Sequence, residues 1–220
     1  MNLTDKRLKL LMDLLPPCGI AADIGTDHGK LGAALLSSGK CQTVWFSDIS
    51  APSLEKARTL IEKMELTDRA AFFVGDGAEA FPHAPDAAII AGMGGNTIAH
   101  IIECGREKLA SSVLLLEPNV GAYETRLALL QNGYRITDEC AVSEGRHIYP
   151  VILARPGRAE YGYDELIAGP VLMKKTDEGS ISYKRKQKEL LEKALENAKK
   201  SDKADLVPLE TELNVWKKLC

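Results

Sequence analysis

The sequence predicts an α/β protein with a parallel sheet covered by helices on both faces and closed at one edge by an antiparallel hairpin. Three observations carry this expectation. Five short apolar segments, Ile20–Ile24, Thr43–Ser47, Ala70–Val74, Ala87–Ala91 and Val113–Glu117, alternate with stretches of helical pattern. That is the rhythm of βαβ crossovers, and therefore of parallel pairing. The runs AAIIAG (Ala87–Gly92) and SVLLLE (Ser112–Glu117) are apolar without alternation, as in strands buried on both faces. After Gln131-Asn132-Gly133 the rhythm changes, because Tyr134–Ser143 and His147–Arg155 are both strand-like and only Glu144-Gly145-Arg146 separates them. A connection that short makes a hairpin, not a crossover.

The remaining elements follow in chain order. Leu3–Leu15 has the spacing of an amphipathic helix and ends at Pro16-Pro17, where a helix cannot continue. Helices between the strands are expected to begin near His28, Ala51, Gly95 and Gly121. Beyond Pro156, a short helix is expected within Tyr163–Lys174. Ser182–Lys200 places Leu190, Leu191, Ala194, Leu195 and Ala198 at helical spacing, which defines one apolar face. After a break at Ser201-Asp202, Leu206, Leu209, Leu213, Trp216 and Leu219 continue the pattern. Two helices joined by a short turn make a helical hairpin or coiled-coil appendage. Residues 1–158 are therefore expected to form the sheet domain, and residues 159–220 a helical tail.

Composition narrows the possible functions. At 220 residues, 45% apolar and 27% charged, the chain is ordinary for a globular protein with a substantial core. No apolar run approaches the length that spans a bilayer, so no membrane partner is expected. The N-terminal segment has an acidic residue within its apolar pattern and no small-residue cleavage site, unlike a secretory signal. Five dispersed cysteines form no C-x-x-C pair, and the four histidines form no H-E-x-x-H. No metal is expected, and reduced thiols suit a cytoplasmic location. The net charge of −3 hides an asymmetry. Residues 174–200 hold nine Lys/Arg against five Asp/Glu, a local +4, which leaves −7 for the rest. A basic helix on an acidic body suits a phosphate backbone, or else is a solvated face.

The chemistry concentrates where the strands end. Ile20–Gly32 (IAADIGTDHGKLG) is a strand running through a glycine-punctuated turn into a helix, as in a Rossmann-like sheet. Its spacing, Asp23-x-Gly25-x-Asp27-x-Gly29, departs from the dinucleotide fingerprint. A pyrophosphate favours bare glycines and a helix N-terminus, and two carboxylates would repel it. They suit a cationic ligand with an amino group and a ribose, a description that fits S-adenosylmethionine (SAM). Asp48, followed by Ile49, ends the second strand where such sites place a carboxylate on ribose hydroxyls; its other reading is a residue before a helix at Ser50. Gly75-Asp76-Gly77 follows the third strand, and Asp76 can accept from an adenine amino group, or cap the next helix. Parallel strands closed by an antiparallel hairpin, with these turns, are the arrangement of class I methyltransferases.

In that fold the loop after the fourth strand, Ala91–Asn96, faces the reactive methyl group. Here it contains no Asn/Asp-Pro-Pro-aromatic clamp for an amino group. Gly92, Met93 and Gly94 instead offer a backbone-lined floor, and Glu117-Pro118-Asn119 adds polar groups at the same edge. The cofactor candidates are Asp23, Gly25, Thr26, Asp27, Asp48, Ile49, Asp76, Gly77 and Gly92. The catalytic candidates are Asp27, His28, Gly92, Met93, Gly94 and Asn119. Asp27, Asn119 and the carbonyls around Gly92–Gly94 are the acceptors proposed for a target amino group. His28 could serve as a base, a helix cap or a partner of a backbone carbonyl. Candidate phosphate contacts are Lys30, Lys184, Arg185, Lys186 and Lys188. Arg106, Lys108 and Arg126 suit an RNA-facing rim, or a solvated surface.

DIGTDHGxL, GDG, AGMGG, EPNVG and the YRIxDE hairpin occur in this order, followed by AGPxLxK at Ala168–Lys174. Together they resemble the bacterial tRNA (adenine-22-N1)-methyltransferases, the TrmK family, over nearly the whole chain. The resemblance implies a SAM site built from Asp23, Gly25, Asp27, Asp48, Asp76 and Gly77, and a helical tail that helps to hold tRNA. The chain is expected to act in the cytoplasm as a monomer or weak homodimer. One departure matters: Gly29-Lys30 stands where many members have an alanine and a tyrosine, and a lysine contacts phosphate but does not stack as an aromatic ring does. The residues by themselves leave open a methyltransferase acting on another RNA site, a protein or a small molecule. They also leave open a non-catalytic RNA-binding protein, although intact Asp23, Asp48 and Asp76 argue against a decayed site.

Overall fold

The computed structural model describes residues 4–26, 28–200 and 205–220. β1 (Cys18–Ile24), β2 (Cys41–Asp48), β3 (Ala70–Val74), β4 (Ala87–Gly94), β5 (Val113–Val120), β6 (Tyr134–Glu144) and β7 (His147–Pro156) form one sheet in the order β3-β2-β1-β4-β5-β7-β6. The first five strands pair in parallel, and β7 pairs antiparallel with both β5 and β6. This is the predicted α/β architecture, with the hairpin closing the sheet. Successive residues of β1 serve opposite faces, as the pleat requires. Ala21 packs with Leu11, Leu35, Leu54 and Ile61 under α1 (Lys6–Leu14), α2 (Lys30–Ser37) and α3 (Ala51–Lys63). Ala22 packs with Ile98, Ile102 and Leu129 under α4 (Gly95–Cys104) and α6 (Ala122–Gln131).

Local signals place the helix starts. The Asp5 carboxylate accepts from the backbone N–H groups of Arg7 and Leu8, capping α1. The Ser50 hydroxyl accepts from Ser53 N at the start of α3, where Pro52 fits because the first turn needs no N–H. Arg106–Leu109 adds a one-turn helix, α5, which the sequence pattern did not announce.

The structure corrects the expected loop after β4. The strand continues through Gly92 and Met93 to Gly94 by bulged pairing, with Met93 opposite Pro118 and Gly94 opposite Val120, and α4 begins at Gly95. Gly95 passes so close to the carbonyl of Gly121 that any Cβ there would collide with backbone. Gly95→Ala is expected to destabilise the protein by about 1–3 kcal/mol, the usual range for overpacking. Urea unfolding tests this, and an unchanged midpoint would refute the close approach.

Beyond the sheet, α7 (Tyr163–Ala168), α8 (Glu178–Ala198) and α9 (Val207–Lys217) form the tail. The expected break at Ser201-Asp202 lies outside the described residues. Ile167, Leu172, Tyr183, Leu213 and Trp216 bury one another and Ala141 of β6, so the helices are packed on the hairpin. Arg126, read from sequence as a rim or surface residue, is fully buried at this junction. Its Nε donates to Glu139 Oε1 at 2.8 Å, and Nη1 donates to the carbonyls of Leu166 (3.0 Å) and Ile167 (2.7 Å). Glu139 Oε2 accepts from Val171 N and Leu172 N. Only Nη2 is left without a partner.

Candidate active site

Two cavities open at the carboxyl ends of β1, β2 and β4, and they meet at Gly25. The smaller, about 90 Å3, is lined by Asp48, Ile49, Asp76, Gly77 and Met93 together with Gly25. The wider cleft, about 420 Å3, is lined by Asp23, Thr26, His28, Lys30 and Gly92 together with Gly25. Most of the residues singled out from the sequence thus gather at one edge, where open α/β sheets bind ligands. Asp27 lies outside the described residues.

Gly25 has φ +76°, and Met93 Cε lies in the space that a Cβ there would fill. The methionine therefore rests on the glycine backbone between the two cavities. One Asp48 oxygen accepts from Ser50 N at 2.7 Å, and among the described residues the carboxylate makes no further hydrogen bond. Asp76 is 54% exposed, with His100 Nε2 at 3.4 Å. A carboxylate on each side of a small, partly apolar cavity fits an adenosine whose ribose and amino groups donate to them. In the wider cleft, Thr26 Oγ1 donates to Asp23 Oδ2 and accepts from Gly29 N, both at 3.1 Å. Asp23 is 8% exposed, and burial raises its pKa to about 6 against the hydrogen bonds from Thr26 and Gly32. A buried carboxylate beside the cleft favours a cationic ligand, because a positive charge there would offset its desolvation. This set of acceptors fits SAM and repels a phosphate.

Glu117, which ends the apolar run of β5, holds the floor of the site in a way the sequence did not reveal. It is completely buried, and its Oε2 accepts from Gly92 N at 3.0 Å and from Arg7 Nη1 at 3.2 Å. Arg7 reaches it from α1 while stacking over the Tyr149 ring, 5.2 Å from the centroid. Gly92 adopts φ +76°, so one side chain fixes the strained end of β4. Burial, opposed by Arg7 and the Gly92 N–H, raises the Glu117 pKa to about 7. The folded carboxyl keeps its proton to higher pH than the unfolded one, so the folded state loses stability as pH rises from about 4.5 to 7. Glu117→Gln is expected to flatten that slope by roughly 2–3 kcal/mol. Urea titrations at pH 5 and pH 8 measure it, and equal slopes in both proteins would contradict the assignment.

The other candidates separate. Asn119 is exposed at the end of β5 and lines neither cleft; it opens on a third cavity beside the tail. His28 and Lys30 are exposed and also line a groove with Lys56 and Lys63 of α3. Arg185 is exposed, and Lys186 and Lys188 are half-buried. Lys184 is corrected. It is 5% exposed, and its Nζ donates to the carbonyls of Met173 (3.0 Å) and Lys175 (2.7 Å). Its charge closes the turn before α8 and does not face solvent. Among the described residues no cluster of three or more His, Cys, Asp or Glu could hold a metal ion, and no helix is long and apolar enough to cross a membrane.

Residues 4–152 match the family described as a methyltransferase domain. The tRNA (adenine(22)-N(1))-methyltransferase of Bacillus subtilis is 33% identical over 177 residues, covering 77% of this chain and 74% of that protein. The crystal structure of the B. subtilis m1A22 tRNA methyltransferase TrmK superposes with a TM-score of 0.89 at 26% identity, covering 99% of this chain and 98% of that one. A Streptococcus pneumoniae protein described as a candidate tRNA (m1A22) methyltransferase, solved in complex with SAM, gives a TM-score of 0.88 at 26% identity over 99% of each chain. With a methyltransferase domain along most of its length and a full-length likeness of fold, this chain belongs to the family of the bacterial tRNA (adenine(22)-N(1))-methyltransferases.

Proposed function

We propose that this protein transfers a methyl group from SAM to N1 of adenine 22 in tRNA. The observation that carries the proposal is the pair of cavities joined at Gly25, with carboxylates where a ribose, an amino group and a positive charge would lie. Bound SAM supplies an electrophilic sulfonium methyl group. Asp48 and Asp76 hold the adenosine end, and Asp23 with Thr26 shapes the end that receives positive charge. Adenine N1 presents an in-plane lone pair and needs no base to attack, so positioning supplies much of the acceleration. Methylation leaves the base cationic, and acceptors facing its amino group favour that charge as it develops. The carbonyls of the Gly92–Gly94 stretch, held by Glu117, are assigned to this role together with Asp27; His28 is left as a positioning residue.

Residues 1–158 are taken as the methyl-transfer domain and residues 159–220 as the part that grips RNA, through Arg185, Lys186 and Lys188, with Lys30 contacting phosphate near the site. Such an enzyme works in the bacterial cytoplasm, as a monomer or weak homodimer. The test is methyl transfer from labelled SAM to unmodified tRNA, followed by nucleoside mass spectrometry. A 1-methyladenosine mapped to position 22 is the expected product. Binding of SAM without transfer to any tRNA would overturn the substrate assignment.

A further inference from the structure

Between the sheet edge and the tail lies a cavity of about 610 Å3, within the range of ligand-binding sites. It shares no lining residue with the two clefts at Gly25. Tyr123 of α6 and Tyr163 of α7 line it with ring centroids 6.1 Å apart, inclined by 58°. Tyr163 is 46% exposed, so the residue is open to solvent at the cavity mouth. Arg146, at the turn of the β6–β7 hairpin, and Lys186 of α8 bring positive charge. Neither forms an ion pair among the described residues.

The inner wall offers polar groups of both kinds. Glu212 of α9 lines the cavity, and burial, with Glu124 nearby, raises its pKa. The indole Nε1 of Trp216, one turn further on, is buried facing the Glu212 carboxylate, whose raised pKa it opposes, though without the geometry of a full hydrogen bond. An aromatic ring, two cations at the mouth, and a loosely paired indole and carboxylate within match the three parts of a nucleotide. The base can stack, its edge can hydrogen-bond, and its phosphate can meet Arg146 and Lys186.

We propose that this cavity holds an unpaired nucleotide of the RNA substrate other than the methylated adenosine, its base stacked on Tyr163 and its phosphate on Arg146 and Lys186. The site presupposes the tRNA methyltransferase activity proposed above and adds a second anchoring point to it. The separate walls of the cavity and the clefts distinguish it from the place of methyl transfer. Asn119 and Val120, at the end of β5, line this cavity, so the second nucleotide lies close to the first.

The experiment compares wild type, Tyr163→Ala and Tyr163→Phe for SAM binding by calorimetry, tRNA binding and methyl transfer. Tyr163→Ala is expected to weaken tRNA binding roughly 5- to 100-fold, the usual value of one stacked base, with SAM affinity unchanged. Tyr163→Phe, which keeps the ring, should restore binding. Scanning abasic nucleotides near the target should find one position where wild type loses as much, and where Tyr163→Ala loses nothing further. Should Tyr163→Ala fail to fold, Lys186→Ala serves instead, and should reduce the salt slope of tRNA binding by about one. Wild-type tRNA binding by Tyr163→Ala, or losses that add at every abasic position, would overturn the proposal. If wild type methylates no tRNA, the parent assignment falls and this one with it; if wild type is active and Tyr163→Ala matches it in tRNA binding, this one alone falls.

Discussion

Arg126→Ala is expected to destabilise the protein by about 3–5 kcal/mol, because it leaves Glu139 ionised, buried and facing no cation. Arg126 also donates to the last carbonyls of α7, and Glu139 accepts from Val171 and Leu172, so both sides of the tail junction lose hydrogen bonds at once. For a chain of this size the loss corresponds to a fall in melting temperature of roughly 6–20 °C. The double variant Arg126→Met with Glu139→Leu removes both charges, keeps much of the volume, and should recover most of the difference. Calorimetric melts of the single and double variants measure this. A single variant within 1 kcal/mol of wild type would contradict a buried charge pair holding the tail.

Asp48→Ala is expected to weaken SAM binding about 10- to 100-fold, the range for losing a hydrogen bond to a charged group. The expectation follows from its place in the smaller cavity, with one oxygen on Ser50 N and the other without a hydrogen bond among the described residues. Asp48→Asn keeps an acceptor for Ser50 and should fall between wild type and Asp48→Ala. At saturating SAM the turnover number should change little, because the residue lines the cavity assigned to the adenosine end and not the wider cleft. Calorimetric titration with SAM, beside kinetics on tRNA, separates the two effects. Unchanged affinity in both variants would remove Asp48 from the cofactor site.

Much of this architecture was legible because strands buried on both faces carry an unbroken apolar signal, and because a short turn can only make a hairpin. The limits of Ala70–Val74 are as expected. β4 and β5 run further than predicted because Gly92–Gly94 and Pro118-Asn119 lack strand-forming side chains; they pair only through bulges that tertiary contact supports. The four-residue α5 is too short to show a period. Asp48, Asp76 and Gly25 stood out because each sits in a local turn directly after its strand. Glu117 was visible as a polar residue ending an apolar run, but its partner Arg7 is 110 positions away. Arg126 and Lys184 were misjudged for one reason. A basic residue on a helix is usually solvated, and the groups that bury these two come from other elements.

The anchored tail has a geometric consequence. The buried pair Arg126–Glu139, together with the apolar contacts of Tyr183 and Trp216, makes α8 move with the sheet. The span from its outer basic face to the floor at Gly92 is therefore constant. On the proposed reading, a tRNA gripped along that face would meet a fixed ruler, with the target adenine at its far mark. Selection of a single position would then come from distance along a rigid frame, with no need to read the bases in between.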